Sequence, residues 1–406
     1  MADSTDLIDS RAAWLRLAAA LALSTLGGVG MWSVVVALPA IQAEFGVSRA
    51  AASFPYTLTM LGFGVGGIMM GRLSDRYGVR LPLVGATCAL ALGYVVASMS
   101  SSLMMYSIVQ GVLIGMLGSS ASFGPLLADI SHWFVRRRGL AVAIVASGNY
   151  LAGAVWPPFV QYLIETVGWR SAHLTIGAIC LLTMLPLTFA MRRPSPHIAV
   201  ESGATATLRP PMPLGISPFA LQTLLMIAGV ACCVAMSMPQ VHIVAYCADL
   251  GYGPAVGAQM LSIMLAFGIV SRLASGYIAD RIGGLRTLLL GSVLQGLALL
   301  LYIPFDGLSS LFIVSALFGL FQGGIVPSYA IIIREHFAPK EAGARVGMVL
   351  MATLFGMALG GWMSGAVFDL TGSYRAAFAN GLLWNLLNLS IVIWLLRRPR
   401  ARFVPA

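Results

Sequence analysis

Two stretches of the chain, 71–80 and 276–286, are variants of one pattern. The first reads GRLSDRYGVR and the second reads GYIADRIGGLR. In each, a glycine precedes an Asp-Arg pair by four residues, and an apolar run lies before that glycine. The spacing predicts a unit that is used twice in the same orientation. The equivalent residues, 205 positions apart, are Gly71 and Gly276, Asp75 and Asp280, Arg76 and Arg281, Gly78 and Gly283, and, upstream, Gly46 and Gly251, Ala50 and Ala255.

The composition indicates what kind of unit is repeated. Of the 406 residues, 59% are hydrophobic and only 9% are charged, against roughly 45–50% and 25% in soluble domains. A soluble enzyme is excluded, because a soluble domain must carry charge over its surface whereas lipid-facing helices need none. We predict an all-α membrane protein with twelve apolar spans, six in each copy. The spans lie at approximately 14–40, 51–71, 81–99, 103–129, 139–164, 169–191, 217–246, 254–279, 287–304, 309–333, 345–368 and 376–396.

The basic residues alternate between the two sides of these spans. With the N-terminus inside, 20 positive charges fall in the inner gaps and three in the outer gaps. The positive-inside rule then predicts that both termini are cytoplasmic, and it explains the net charge of +10 without a nucleic-acid partner. The predicted parts are a cytoplasmic tail (1–13), a six-helix bundle (14–191), a cytoplasmic linker (192–216), a second six-helix bundle (217–396) and a basic tail (397–406).

Two parallel six-helix halves, with G-x-x-x-D-R-x-G at the inner ends of the second and eighth spans, resemble the major facilitator superfamily over nearly the whole chain. In that superfamily the motif is a latch that favours the outward-open state. The resemblance therefore implies a gating role for the Gly, Asp, Arg and Gly of each motif copy. These eight residues are Gly71, Asp75, Arg76, Gly78, Gly276, Asp280, Arg281 and Gly283. The residues themselves suggest close packing at Gly71, followed by a charge pair of Asp75 and Arg76 that locks neighbouring helix ends. A hairpin with solvated charges is the alternative.

A narrower resemblance lies in two places. The stretch WFVRRRGLAVAIVASGNYLAG, 133–153, is similar to the loop and fifth helix of monocarboxylate and oxalate-formate-type carriers. Arg272 lies four residues before Gly276, as in the monocarboxylate carriers, where this arginine pairs with the substrate carboxylate. The resemblance thus implies an organic monocarboxylate as the substrate, bound near the midplane.

Arg272 is also unusual on physical grounds. A guanidinium in a span costs roughly 2.5–3.5 kcal/mol on insertion scales and faces a cavity or a partner. No acidic residue is expected at its depth, so a bidentate substrate carboxylate can supply the counter-charge. Its repeat equivalent is Gly67, so the shared scaffold does not require the charge. The alternative is that Arg272 extends toward the inner interface near Asp280.

This chain departs from the resembled families at other charged positions. Eukaryotic lactate carriers have a lysine in the first helix and an aspartate one turn before the arginine. Here the first span has no lysine, and Gly268 stands one turn before Arg272. Oxalate-type exchangers have a lysine in the eleventh helix, which 348–362 lacks. Arg272 is then the one cation expected well inside the spans, and a single cation suits a substrate with one carboxylate better than a substrate with two.

Five further residues are candidates for substrate contact. A histidine well inside a span, toward its outer end, can carry a coupling proton or donate to the substrate, although packing is an equally common role. The others are polar residues that can line the cavity, with helix–helix hydrogen bonding as the alternative. The histidine is His242, and the others are Asn149, Tyr150, Gln322 and Tyr329.

Several other chemistries are not expected. The five cysteines fall inside spans and lack metal-ligand spacing, so we predict buried thiols without a disulfide framework and no metal site. GFGVGG, 62–67, matches a dinucleotide fingerprint but lies in an apolar span with no strand before it, so we interpret it as helix-packing glycine. We expect no catalytic residues and no cofactor.

The sequence thus predicts a secondary active transporter that moves a small organic anion, such as a lactate-like or pyruvate-like acid, by alternating access. H⁺ is the expected coupling ion, and we expect a functional monomer in the bilayer. An uptake carrier for a larger aromatic nutrient, riboflavin or an aromatic amino acid, is the alternative. A drug efflux pump is less favoured, because no acidic residue lies deep in the spans. The arginine-rich, nearly lysine-free usage suggests a bacterial inner membrane.

Overall fold

The computed structural model describes residues 8–193 and 214–398, and these residues form helices and no β-strand. The predicted all-α class is therefore confirmed for this part of the chain. The helices are α1 (Arg11–Gly27), α2 (Val29–Phe45), α3 (Arg49–Tyr77), α4 (Arg80–Ser98), α5 (Leu103–Val109), a π-helical segment (Gln110–Gly118), a 3₁₀ segment (Ser119–Ser122), α6 (Gly124–Trp133), α7 (Arg138–Ala146), α8 (Gly148–Phe189), α9 (Pro218–Asp249), α10 (Pro254–Ile282), α11 (Gly284–Leu301), α12 (Leu308–Gln322), α13 (Ile325–His336), α14 (Pro339–Thr371) and α15 (Tyr374–Arg397).

Ten helical stretches in the described residues are long and apolar enough to cross a bilayer. Some of them combine consecutive helices, such as Arg11–Phe45 and Leu103–Trp133. The longest, Arg138–Met191, contains Gly168 with φ 77° and ψ 158°, which breaks the helical path. Satisfying every backbone hydrogen bond within a segment is what allows helices to cross lipid. The chain is therefore a multi-pass membrane protein.

The two copies of the sequence repeat end their helices in the same way. α3 stops before Gly78 at φ 78° and ψ 160°, and α10 stops before Gly283 at φ 82° and ψ 165°. This positive-φ conformation favours glycine, because a Cβ would clash with the backbone. The second motif glycine therefore has a backbone role in both copies.

The structure divides into two compact units. Of the described residues, the first unit holds 8–193 and 242–266, and the second holds 214–241 and 267–398. α9 and α10 each contribute residues to both units. The predicted division into bundles 14–191 and 217–396 remains a prediction. Most of the predicted linker lies outside the described residues, as do its prolines, Pro194, Pro196, Pro210, Pro211 and Pro213.

Glycine allows close helix packing in the first unit. A Cβ added at Gly62 would touch the carbonyl oxygen of Gly111, and one at Gly66 would touch the carbonyl oxygen of Met116. α3 therefore lies directly against the π-helical segment, which supports the interpretation of GFGVGG as packing glycine. At Gly67, in contrast, an added Cβ would meet nothing within 4 Å.

Buried amides join α11 and α15 in the second unit. Asn385 Nδ2 donates to Gln295 Oε1 at 3.0 Å, and Asn388 Nδ2 donates to Ser292 Oγ at 2.7 Å. Such bonds between buried polar side chains hold helices together where lipid offers no hydrophobic driving force.

The cysteines follow the sequence prediction with one exception. Cys180, Cys232, Cys233 and Cys247 are buried, as predicted, but Cys88 is exposed. The prediction for Cys88 was wrong because a residue inside a span faces either the protein or its surroundings, and the sequence alone did not indicate which.

Candidate functional site

Three helix breaks meet in the first unit. α1 gives way to α2 at Gly28, the 3₁₀ segment ends at Ser122 before α6, and α7 gives way to α8 at Ser147. A Cβ added at Gly27 would collide with Ser122, and one at Gly28 would lie 2.6 Å from Ala152 Cβ. Irregular backbone at membrane depth is tolerated only where it is enclosed by protein or lines a cavity. The meeting point of these breaks is therefore a place where the unit can present polar backbone to a ligand.

Two candidate residues lie beside this meeting point. The backbone oxygen of Asn149 accepts from Trp32 Nε1 at 3.2 Å. The side-chain oxygen Oδ1 of Asn149 is buried and has no hydrogen-bond partner in the described structure. Tyr150 is buried, with 7% of its surface exposed. Of the two, Asn149 has the free acceptor that a ligand would use.

The second unit has a comparable break between α12 and α13. Gly323 and Gly324 separate these helices and pack against α10. A Cβ at Gly323 would collide with the carbonyl oxygen of Gly268, and one at Gly324 would collide with the side chain of Ser275. The contact therefore covers the segment of α10 that carries Arg272. Arg272 is half-buried, and its carbonyl oxygen accepts from Ser275 Oγ at 3.1 Å.

Gln322 is the last residue of α12 and adjoins this contact. It is fully buried, yet neither Oε1 nor Nε2 has a hydrogen-bond partner in the described structure. A buried amide without partners is costly, at about 1–3 kcal/mol for each unsatisfied group. Such a residue is a strong candidate for binding a polar ligand, and it stands next to the contact with the Arg272 segment.

Tyr329 has a different setting. Its side chain lies in the hydrophobic core of the second unit, and its hydroxyl donates to Asn388 Oδ1 at 3.2 Å. This arrangement favours the helix-packing alternative over substrate contact. His242 is 1% exposed on α9, and its predicted role in proton coupling stays a prediction.

His242 is not alone among the histidines in being buried, because His173 is completely buried as well. His173 Nδ1 lies 2.8 Å from the carbonyl oxygen of Trp169, and its Nε2 lies 3.1 Å from the hydroxyl of Tyr106. Both ring nitrogens therefore have partners. His173 was missed because its span was predicted to begin only four residues before it.

The packing expected at the gating motif is not observed. A Cβ at Gly71 or Gly276 would meet no described residue within 4 Å, so among the described helices these glycines make no close contact. The aspartates of the motif, Asp75 and Asp280, are exposed and form no ion pair with any described residue.

The motif arginines instead stack on neighbouring tyrosine rings. Arg76 lies 5.2 Å from the ring centroid of Tyr77, and Arg281 lies 4.1 Å from that of Tyr277. The predicted lock between Asp75 and Arg76 is therefore absent from this conformation, and the gating role stays a prediction.

Sequence reasoning also missed a buried ion pair between α1 and α6. Arg16 Nε donates to Asp129 Oδ2 at 2.7 Å, and a second guanidinium nitrogen donates to Asp129 Oδ1 at 2.8 Å. Each side chain is only 3% exposed. Both residues lie near predicted span ends, where a charge normally reaches water. The sequence feature that could have revealed the ion pair is that Arg16 and Asp129 each fall just inside a predicted span.

Apolar helices of membrane-spanning length define a polytopic membrane protein. The sequence model of the Major Facilitator Superfamily matches residues 20–311 and, in a second match, residues 276–404. The chain therefore belongs to this family. The predicted superfamily is thereby confirmed.

Relatives narrow the comparison. Over 314 residues the chain is 30% identical to monocarboxylate transporter 13 of Bos taurus, covering 75% of this chain and 71% of that protein. Over 383 residues it is 28% identical to monocarboxylate transporter 11 of Mus musculus, covering 90% and 83%. The predicted resemblance to monocarboxylate carriers and the prediction that the chain is not an enzyme are confirmed.

The fold is similar to that of a solved structure. A bacterial homologue of the human lysosomal transporter Spinster, in an inward-facing and occupied conformation, superposes with a TM-score of 0.72 at 13% identity. The match covers 96% of this chain and 98% of that chain. At this identity the likeness concerns the fold alone.

Proposed function

We propose that the protein transports a small organic monocarboxylate, a lactate-like or pyruvate-like acid, by alternating access, with Arg272 binding the carboxylate. The observation that carries the proposal is the contact of the Arg272 segment with the α12–α13 break, beside the unpartnered amide of Gln322. The resemblance to monocarboxylate transporters supports it.

The chemistry of the two side chains is complementary to a carboxylate. The planar guanidinium of Arg272 can donate two parallel hydrogen bonds to its oxygens. The amide of Gln322 can donate to one further oxygen and accept from a hydroxyl, which a 2-hydroxy acid carries. Asn149 Oδ1 of the first unit is a separate candidate for accepting a hydrogen bond from a ligand.

We further propose twelve membrane spans with both termini in the cytoplasm of a bacterial cell. α3 is 29 residues long, and the break at Gly168 divides the longest stretch in two. The ten apolar stretches do not include α3, and they count the stretch that contains Gly168 once. Adding α3 and dividing that stretch supports twelve spans, and the excess of basic residues in alternate gaps supports the orientation.

Coupling to H⁺ follows from the charge of the substrate. An anion that enters against an inside-negative potential loses about 2.3 kcal/mol per 100 mV, and a co-transported proton removes that cost. His242 is the candidate proton carrier. Uptake into proteoliposomes should therefore rise as external pH falls, and uptake that does not change with pH would refute the coupling.

The test of the substrate site is ligand-induced thermal stabilisation of the purified protein, because a ligand that binds only the native state raises the melting temperature. Lactate and pyruvate are compared with dicarboxylates, riboflavin and aromatic amino acids. Removing one partner of a desolvated charge pair costs about 2 kcal/mol or more, so Arg272→Ala should weaken monocarboxylate binding roughly 30-fold or more.

Arg272→Lys should also bind weakly, because an ammonium lacks the bidentate geometry. Arg286→Ala, which removes an exposed arginine from α11, is the matched control and should bind normally. Stabilisation by riboflavin or an aromatic amino acid that survives Arg272→Ala would reject the carboxylate site and favour the larger-nutrient alternative.

A further inference from the structure

The first unit contains a large cavity whose lining residues do not include Arg272. Its volume is about 1030 Å³, and it lies among the ends of α3, α6 and α8 and the starts of α1 and α4. Five arginines and two aspartates line it, so its formal charge is positive. The charged residues are Arg16, Arg76, Arg80, Arg192, Arg193, Asp75 and Asp129.

One of these arginines is already neutralised. Arg16 is bound to Asp129 through two hydrogen bonds, and its third donor group is held by the carbonyl oxygen of Arg193 at 3.0 Å. The other four arginines are exposed and form no ion pair with a described residue. Asp75 is the one remaining carboxylate among the lining residues. The cavity therefore keeps an excess of positive charge that its own described side chains do not balance.

Two of the remaining arginines converge on one aromatic ring. The guanidinium of Arg80 lies 5.1 Å from the ring centroid of Phe189, and that of Arg192 lies 4.4 Å from the same centroid. Their two guanidinium carbons are thus held within reach of one ring, and an anion that contacts both groups would offset the repulsion of their like charges. Because the ring positions both guanidinium planes, less side-chain freedom is lost when they bind an anion together.

The surroundings of the cavity are apolar and exposed. Tyr77 and Leu81 line it with 53% and 55% of their surfaces exposed, and Phe189 is 46% exposed. In a membrane protein such side chains provide a surface for an acyl chain. A basic recess beside an apolar, exposed surface is complementary to an acidic phospholipid. The charged headgroup of the lipid would lie in the recess, and its acyl chains would lie in the bilayer.

We propose that this cavity binds an anionic phosphate group through Arg80 and Arg192, and that an acidic phospholipid supplies it. Arginine forks match phosphate oxygens in a bidentate manner. The site shares no residue with the proposed substrate site, so either proposal can fail without the other.

The test is thermal stabilisation of the delipidated, purified full chain by four probes. These are dioctanoyl phosphatidylglycerol, dioctanoyl phosphatidylcholine, glycerol phosphate and inorganic phosphate. Phosphatidylglycerol should raise the melting temperature and phosphatidylcholine should not, because only the former has a net negative charge. Stabilisation by glycerol phosphate or inorganic phosphate equal to that by phosphatidylglycerol would support the phosphate site and assign it to a soluble ligand.

Variants locate the binding. A basic residue near the surface contributes about 1 kcal/mol to binding acidic lipid, so Arg80→Ala with Arg192→Ala should weaken phosphatidylglycerol binding roughly 30-fold. The matched control, Arg286→Ala with Arg334→Ala, removes two exposed arginines from the second unit and should bind normally.

A second variant guards against misfolding of the first. Leu81→Glu places a negative charge at an exposed lining position without removing an arginine, and it should also weaken binding. The proposal is overturned if phosphatidylcholine stabilises equally, or if phosphatidylglycerol stabilises the double alanine variant and the wild type alike. Competition between lactate and phosphatidylglycerol would also overturn it, since the cavity would then belong to the substrate path.

Discussion

Breaking the ion pair of Arg16 and Asp129 should strongly destabilise the protein. Asp129→Ala removes both carboxylate oxygens, at 2.7 and 2.8 Å, from an arginine side chain that is only 3% exposed in the intact pair. The remaining contacts of Arg16 are one carbonyl oxygen at 3.0 Å and the ring of Trp133, 4.5 Å from the guanidinium carbon. Neither neutralises the charge, so the loss in unfolding free energy should be about 3–5 kcal/mol.

The pair as a whole should be worth less than this cost. Replacing both partners with apolar residues removes the uncompensated charge, and such replacements are often neutral or stabilising. Arg16→Met combined with Asp129→Leu should therefore destabilise by less than Asp129→Ala alone. This non-additivity distinguishes a buried pair from two independent side chains.

The measurement is the free energy of unfolding in mixed micelles, followed by circular dichroism. Asp306→Ala is the matched control, because it breaks an ion pair with Arg375 at 2.9 Å in which the side chains are 45% and 59% exposed. That variant should cost at most about 1 kcal/mol. If Asp129→Ala costs no more than Asp306→Ala, the reasoning from burial is refuted.

Three further predictions use the same assay. Gln322→Leu should stabilise the ligand-free protein by at least about 1–3 kcal/mol, the cost of one of the two unsatisfied groups that it removes, while weakening substrate binding; destabilisation would mean that the amide is structural. Gly62→Ala should cost about 1–3 kcal/mol through overpacking, whereas Gly67→Ala, which has open space, should be neutral or stabilising by up to about 1 kcal/mol; equal effects would contradict the packing. Asp249→Arg should destabilise by about 1 kcal/mol, because it faces Arg49 with a like charge where an ion pair at 3.0 Å now stands. Adding Arg49→Asp should restore part of that loss, and no recovery would show that the pair contributes nothing.

Local features of the sequence were sufficient for the fold class and the family. Long apolar stretches can satisfy their backbone in lipid only as helices or closed barrels, and their length here fits helices. The repeat identified Gly78 and Gly283 at matching positions, and both adopt the same positive-φ geometry at the end of a helix. The gating motif was recognised in the same way, but its packing was not predictable, since Gly71 and Gly276 have open space around them.

The candidate site depended on contacts that no local pattern encodes. Arg272 was identifiable because a charge in an apolar span stands out in the sequence. That Gln322 has no partner while Tyr329 is bound to Asn388 follows from how α10, α12, α13 and α15 pack together.

The sequence by itself determined the membrane class, the helical repeat and the arginine around which a carboxylate site can be built. Each of these follows from composition or from spacing along the chain. The tertiary structure decided the ion pair of Arg16 and Asp129, the meeting of the helix breaks and the basic cavity beside Phe189. These arrangements join residues far apart in the chain, and whether a charge is buried or solvated depends on the helices that surround it.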